Sequence, residues 1–218
     1  MSGNFGALLL ALLDCNLRMT LTAIAIALPV SCLFAVGRLS RFALIHLPTT
    51  ADVNVLRSSP LLMIMFWAYY TGPMLTGRTI SAYQAAVVAL TAFEVAYFTE
   101  IVRTGLQSIS QGQRRAGLAT GLSQWQVVRL IILPQALRRM APSLLTQGLV
   151  AFQDSTIASV IGVSDVFQTT NVINAREQTP IELYTELAIL YFVICILLSQ
   201  GIRWLEARGR RPVVSVLQ

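Results

Sequence analysis

Between Arg18 and Arg38 the chain reads MTLTAIAIALPVSCLFAVG, residues 19–37, without one charged side chain. A run of about 20 apolar residues is the length of helix that crosses the roughly 30 Å hydrocarbon layer of a bilayer. Four further segments share this character. The second lies between Arg57 and Arg78 and is also uncharged. The third runs from about Ile80 to Val102 and holds Glu94 and Glu100. The fourth runs from about Met140 to Val163 and holds Asp154, and the fifth runs from about Leu183 to Leu205 with Glu186 near its start. In lipid a lone segment must be helical, because only the helix satisfies its own backbone groups. Barrel strands would alternate at period two, and these runs do not. The expectation is an all-α integral membrane protein with about five transmembrane helices. The apolar run Phe5–Leu13 is too short to span and is expected to lie along the outer surface or to pack on the bundle.

Composition agrees. Of 218 residues, 55% are hydrophobic and 12% charged, about half the charge of a soluble domain, and mean hydropathy is +0.66. Five spans and their loops occupy a single domain, residues 1–218, with no room for a nucleotide-binding domain. The net charge of +6 does not indicate nucleic acid, since no soluble basic face with interleaved aromatics accompanies it. Cys15, Cys32 and Cys195 have neither CxxC nor metal-ligand spacing and read as small structural residues. His46, in the basic loop before the second span, has no ligand-like neighbours and reads as interfacial. Trp67, Tyr69 and Tyr70 read as interface anchors or packing. The N-terminal run lacks the basic flank of a signal peptide.

Every basic residue except His46 is Arg, which makes sidedness easy to read. With the N-terminus outside, thirteen of the 16 arginines fall on the inner side, and Arg18, Arg78 and Arg176 on the outer. Excess Arg marks the cytoplasmic side, so the N-terminus is expected in the periplasm and the C-terminus in the cytoplasm of a bacterial inner-membrane protein. The longest inner loop, about 108–139, reads SISQGQRRAGLATGLSQWQVVRLIILPQALRR. Ser110 with Gln113, and Ser123 with Gln126, have capping-box spacing, and Gly121 lies between them as a stop and turn. The second helix is expected to end near Leu133, because Pro134 disfavours helix in the residue before it. The loop reads either as two short helices against the inner face or as a solvated basic connector.

This loop resembles the "EAA" loop of permease subunits of binding-protein-dependent ABC importers: E-A-A, three residues, Gly, nine residues, then I-x-L-P. Arg115, Ala116 and Gly117 take the first three positions, Gly121 the glycine, and Ile131-Ile132-Leu133-Pro134 the ending. The flanks are similar to the polar amino-acid branch: LRSSPLLMIMFWAYY (56–70), AYFTEIVRTGLQSISQGQ (96–113), PQALRRMAPSLLTQG (134–148) and FQDSTIASVIGVSD (152–165). The stretch LLTQGLVAFQDST looks most like glutamate/aspartate permeases. Two positions depart from the pattern: Arg115 replaces Glu, and Gly117 replaces Ala, weakening its helix by about 1 kcal/mol. Either a cognate ATPase compensates with an acidic residue, or a second permease carries the standard loop.

The resemblance implies two permease subunits, two ATPase subunits docked on the loops, and a periplasmic amino-acid-binding protein. It implies that Ala119, Thr120, Gly121, Leu122 and Trp125 sit near the ATPase contact. ATP and Mg would belong to that partner. This chain has no G-x-x-x-x-G-K-[ST] loop and is expected to hold no cofactor and to be no enzyme itself. An ion-coupled secondary amino acid carrier is the alternative; no internal repeat supports it. Nor does any HExxH or GxSxG motif support a membrane enzyme.

Polar residues within the spans are candidates for the substrate pathway, because acids at mid-membrane cost about 2.5–3.5 kcal/mol on insertion scales. Ser143, Gln147 and Asp154 share a helical face at spacings of four and seven, with Gln153, Ser155 and Thr156 nearby. This face lines a pathway or joins helices across an interface. Glu94 is equally deep. Glu100 is closer to the inner end and reads as structural, paired with Arg103 or Arg57. For an acidic substrate, Asp154 or Glu94 would meet its ammonium group. Ser59 and Pro60 either cap a helix that aims its positive end, with Arg57, at an anion, or simply kink the start of the second span.

Overall fold

The computed structural model describes residues 2–209, and no strand occurs among them. Arg210 and Arg211, which entered the sidedness count, lie outside this range. The helices are α1 (Ser2–Ala11), α2 (Arg18–Arg38), α3 (Ala43–Ser58), α4 (Leu61–Thr76), α5 (Ala82–Gln107), α6 (Gln111–Ala119), α7 (Gln124–Val127), α8 (Leu133–Asp154), α9 (Val166–Glu177) and α10 (Pro180–Gly209). Three stretches are long and apolar enough to cross a membrane: Phe5–Arg38, Ala82–Gln107 and Pro180–Ala207. A fourth candidate is broken, with Gln124–Ile161 meeting Val166–Glu177 at a 50° bend, and Leu61–Thr76 is a shorter apolar helix.

Helix α5 is the axis of the bundle, and α2, α3, α4 and α8 all pack on it. A stripe of small residues on α2, namely Ala23, Ala27, Ser31 and Ala35, is fully buried. It meets Ala85, Ala86 and Ala89 near one end of α5, Val95 and Phe98 in the middle, and Val102 beyond. Lipid tails are as apolar as leucine, so burial alone does not join helices in a membrane, and close backbone approach takes over. At Gly105 the limit is reached: a Cβ there would stand 2.9 Å from the Met140 Cβ of α8. The start of α5 is closed by a capping box in which the Ser81 hydroxyl accepts from the Gln84 N–H and the Gln84 side chain accepts from the Ser81 N–H.

Several local expectations are corrected or decided. Phe5–Leu13 does not lie on the surface: α1 runs into α2 as one 34-residue helix, Phe5–Arg38. A π-turn at Leu12–Leu17 joins them; Asp14 and Arg18 stay outside while Leu8, Leu12 and Asn16 are buried. Leu8 and Leu12 pack with Phe152, Val166, Leu187 and Leu190, so the run packs on the bundle as an extension of the first span. The basic connector before the second span folds as α3, with Gly37 of α2 close to the Thr49 methyl.

The helix starting at Gln124 does not stop at Leu133. A second π-turn, Val128–Ile132, carries it into α8 with Pro134 in the first turn. The wider turn moves the preceding carbonyls off the proline ring, and the Gln135 side-chain amide donates to the Ile131 carbonyl at 2.8 Å. Carbonyls freed around a proline are commonly satisfied by such side chains. Finally, Ser110 gives no side-chain cap to α6, and the Gln113 N–H bonds its backbone carbonyl instead. Likewise Ser59 does not cap α4: its hydroxyl donates back to the Val55 carbonyl of α3, and the extended Pro60 (φ −63°, ψ 133°) precedes Leu61. Pro60 therefore marks the break between α3 and α4.

Candidate functional site

After α5 the short helix α6 is joined by a tight turn to the start of the long helix that begins at Gln124. The turn depends on Gly121, whose φ of +84° is a left-handed conformation that costs a side-chain-bearing residue about 1–2 kcal/mol. Ser123 then opens α7: its hydroxyl accepts from the Gln126 N–H, and the Gln126 side chain accepts from the Ser123 N–H. The Ser123–Gln126 capping box is thus observed. Arg114 donates to the Gln124 side chain at 3.1 Å and ties the two helices together.

Gly117 is buried where α6 crosses the π-turn: a Cβ there would approach Ile131 Cδ1 to 2.7 Å and Val127 Cγ2 to 3.0 Å. Its close packing explains the glycine that sequence alone reads only as a weakening of the helix. Arg115, Ala116, Ala119, Thr120 and Gly121 are exposed and Leu122 half-buried. Beside them Trp125 is 69% and Leu118 38% exposed, so a charged residue and two large apolar ones share one small surface. Gly121→Val should lower the melting temperature by only roughly 2–8 °C in a chain this size, since the penalty is local. Circular dichroism of the detergent-purified protein measures it.

At the end of α5 nearest this loop, Glu100 gathers three arginines. Arg38 of α2 donates at 2.6 Å, and Arg103 donates through Nε at 3.0 Å and also through Nη2. Arg57 of α3 stands 4.0 Å away, with its guanidinium 5.3 Å from the centroid of the Tyr97 ring. Arg103 is held further by Gln107 at 2.6 Å. The structural role read for Glu100 is therefore seen as an ionic joint between α2, α3 and α5. His46 adds to it by contacting the Arg38 carbonyl at 2.8 Å.

Deeper in the bundle the structure brings Glu94 and Gln147 together. Glu94 is fully buried, and the Gln147 amide donates to its two oxygens at 3.2 and 3.4 Å. Asp154 is half-buried at the last residue of α8, where the helix tightens into a 3-10 segment, Ser155–Ile161. Its neighbours diverge. Gln153 donates to Cys195 Sγ at 3.3 Å and Thr156 meets the Tyr191 hydroxyl at 3.0 Å, both on α10. Ser155 turns inward, accepting from Asn16 Nδ2 at 3.0 Å. Of the nominated pathway residues, Glu94, Gln147 and Asp154 therefore lie toward one interior region. Arg57 joins the Glu100 cluster, Gln153 faces α10, and Ser59 is folded back on α3.

Sequence reasoning missed Asn16. The π-turn aims this fully buried amide into the break between the 3-10 segment and α9. Its Oδ1 accepts from the Val166 N–H at 3.1 Å, and its Nδ2 donates to Ser155 and, at 3.4 Å, to Asp165. Asp165 in turn caps α9 by accepting from the Gln168 N–H at 2.8 Å. An Asn three residues ahead of a long apolar run was the available signal.

A helical membrane bundle, acids buried at its centre and an exposed two-helix turn at one end together define a multi-span membrane permease. The chain belongs to the family of binding-protein-dependent transport system inner membrane components, which it matches over residues 27–211, as the loop and its flanks implied. It is 41% identical over 200 residues to the glutamate/aspartate import permease protein GltK of Escherichia coli O6:H1, covering 88% of this chain and 89% of that one. It is 36% identical over 157 residues to the glutamine transport system permease protein GlnP of Escherichia coli K12, covering 72% of each. The crystal structure of an amino acid ABC transporter with histidines superposes with a TM-score of 0.85 at 28% identity, over 95% of this chain and all of that one. The MetNI methionine ABC transporter shares the fold, with a TM-score of 0.77 at 22% identity over 97% of this chain and 100% of that chain.

Proposed function

We propose that this chain is the membrane subunit of an ATP-driven importer whose cargo is acidic amino acids, glutamate or aspartate. In this reading the N-terminus faces the periplasm and the C-terminus the cytoplasm. The turn at Gly121 docks on a separate ATPase, a second permease subunit completes the pathway, and a periplasmic binding protein delivers the amino acid. The observation that carries the reading is the turn's place at the tip of one helix, Gln124–Ile161, that reaches the polar centre of the bundle. That helix has about 55 Å of contour, more than the roughly 40–45 Å of a bilayer with its headgroups. The tip therefore projects from the membrane, and its exposed Leu118 and Trp125 beside Arg115 have the apolar and charged mixture of a docking surface.

The acidic cargo is supported by the higher identity and wider coverage against GltK than against GlnP. No observation favours the ion-coupled carrier. The test is reconstitution of the complex with its ATPase, in liposomes with the binding protein outside, scoring ATP-dependent uptake of labelled glutamate, aspartate, glutamine and arginine. Uptake that ignores ATP sinks the reading. Arg115→Glu should weaken ATPase association about tenfold, as charge reversal at a contact rim does, and lower uptake with it. Unchanged association and uptake would remove Arg115 from the contact. Cysteine labelling of the turn from the cytoplasmic side checks the orientation.

A further inference from the structure

A second charged place in the fold lies away from Glu100, in a cleft between α8 and α10. Its volume is about 380 Å³, and Arg138, Arg139, Pro142 and Leu145 of α8 line it together with Leu205 and Glu206 of α10. That space is within the range of small-molecule sites. Opposite charges share this cleft without meeting: no ion pair among the described residues joins Arg138 or Arg139 to Glu206. Arg139 donates to the Ser108 carbonyl at the end of α5, which leaves most of its guanidinium N–H groups unused. For Arg138 and Glu206 no polar partner is found among the described residues. Two guanidinium groups on one helix and a carboxylate on the other match a ligand that carries an anion and an ammonium at once.

The cleft is graded along its length. Helices α8 and α10 run antiparallel, since Gln153 meets Cys195 and Thr156 meets Tyr191, while residues 138–145 face 205–206. From the charged end, both helices become apolar in the same direction, through Pro142 and Leu145 on α8 and through Leu205, Ile202 and Leu198 on α10. The three on α10 continue the face that Tyr191 and Cys195 begin, at helical spacings of three and four. Leu145, Leu198 and Leu205 are exposed, and a Cβ added at Gly201 would meet no atom within 4 Å. The apolar part is therefore open rather than filled by the protein. A soluble zwitterion would use only the charged end. A molecule that matches the whole cleft has a head with both charges and an apolar tail, and α10 is a helix long and apolar enough to cross a membrane.

We propose that this cleft binds one phospholipid whose headgroup joins a phosphodiester to a primary ammonium, as in phosphatidylethanolamine. Arg138 and Arg139 donate to the phosphate oxygens, Glu206 accepts from the ammonium, and an acyl chain follows Leu145 and Leu205 toward Leu198. The guanidinium fork suits phosphate, and basic pockets between spans hold lipid headgroups. The carboxylate sets the choice among lipids. It repels a headgroup that has only the phosphate, and the trimethylated nitrogen of phosphatidylcholine has no N–H to give it.

The test is native mass spectrometry of the full chain purified in detergent. It is titrated with phosphatidylethanolamine, phosphatidylcholine and phosphatidylglycerol of identical acyl chains, and with glycerophosphoethanolamine, which has the head and no tail. One saturable phosphatidylethanolamine should bind, about tenfold tighter than either other lipid, the scale of a hydrogen bond to a charged group. Glu206→Gln should remove the preference over phosphatidylglycerol, and Arg138→Met should weaken both lipids by about threefold to tenfold. Equal binding of the three lipids to the wild-type chain overturns the inference, and this comparison decides even where a variant does not fold. Wild-type selectivity that survives both substitutions places the lipid elsewhere and overturns it as well. Glycerophosphoethanolamine binding as tightly as the lipid marks a site for a soluble zwitterion and overturns the lipid assignment.

Discussion

Glu100→Ala should destabilise the protein by about 3–5 kcal/mol, the range for removing one partner of a buried ion pair. In a chain of this length that corresponds to a melting temperature lower by roughly 6–20 °C. The effect exceeds that of a surface salt bridge because Glu100 is only 21% exposed and Arg38 10% exposed. Removing the carboxylate strands Arg38 between α2 and α5 with no other side chain among the described residues to receive it. Arg103 is less affected, since Gln107 still accepts from it at 2.6 Å. The asymmetry provides a second reading of the same joint. In the Glu100→Ala background, Arg38→Met should restore part of the lost stability and Arg103→Met less. Thermal unfolding of the four proteins in detergent measures this, and equal recovery from the two second changes would show that Arg38 is not the stranded charge.

Asn16→Ala is expected to cost about 3 kcal/mol, because it leaves the buried Val166 N–H unpaired and takes a donor from both Ser155 and Asp165. The melting temperature should fall by roughly 6–12 °C. Asn16→Asp is the sharper case. It is the same size and can still accept from Val166, but it sets a second carboxyl group against Asp165 and loses both donations. It should be no more stable than the alanine variant. Were the aspartate variant to melt like wild type, the amide's donor half would have no part in holding the break. Proteolysis between Gly162 and Asp165 should accelerate in both variants, since Asn16 fastens the first span to that break.

Much of this architecture can be read from the residue pattern. Uncharged runs bounded by arginine locate α2 and α4, and the apolar run after Leu183 locates α10, because nothing else buries twenty such residues. Gly121 and the Ser123–Gln126 pair locate the turn, because each acts through its own backbone. What escapes the pattern depends on register. A π-turn differs from an α-turn by one carbonyl, and no residue type announces it, so the merging of α1 with α2 and the passage through Pro134 are visible only in three dimensions. Ser110 and Ser59 show the same limit: a hydroxyl in the right place for a cap can bond the turn behind it, or leave the bond to the backbone. The site divides likewise. Glu94 and Gln147 stand out as polar groups in apolar runs, whereas their meeting depends on α8 crossing α5 at that height. Arg57's place over Tyr97 depends on α3, which sequence reads as a loop.

The π-turn at Val128–Ile132 also works as a phase setting. Successive residues of an α-helix point about 100° apart around its axis, so one extra residue wound into a single turn rotates everything after it by about that angle. Whatever grips Trp125 and whatever Gln147 touches are held at a fixed azimuth to each other by that one surplus residue. A relative that shortened this stretch by one position would keep both ends and lose the angle between them, so the spacing from turn to glutamine is as constrained as either end.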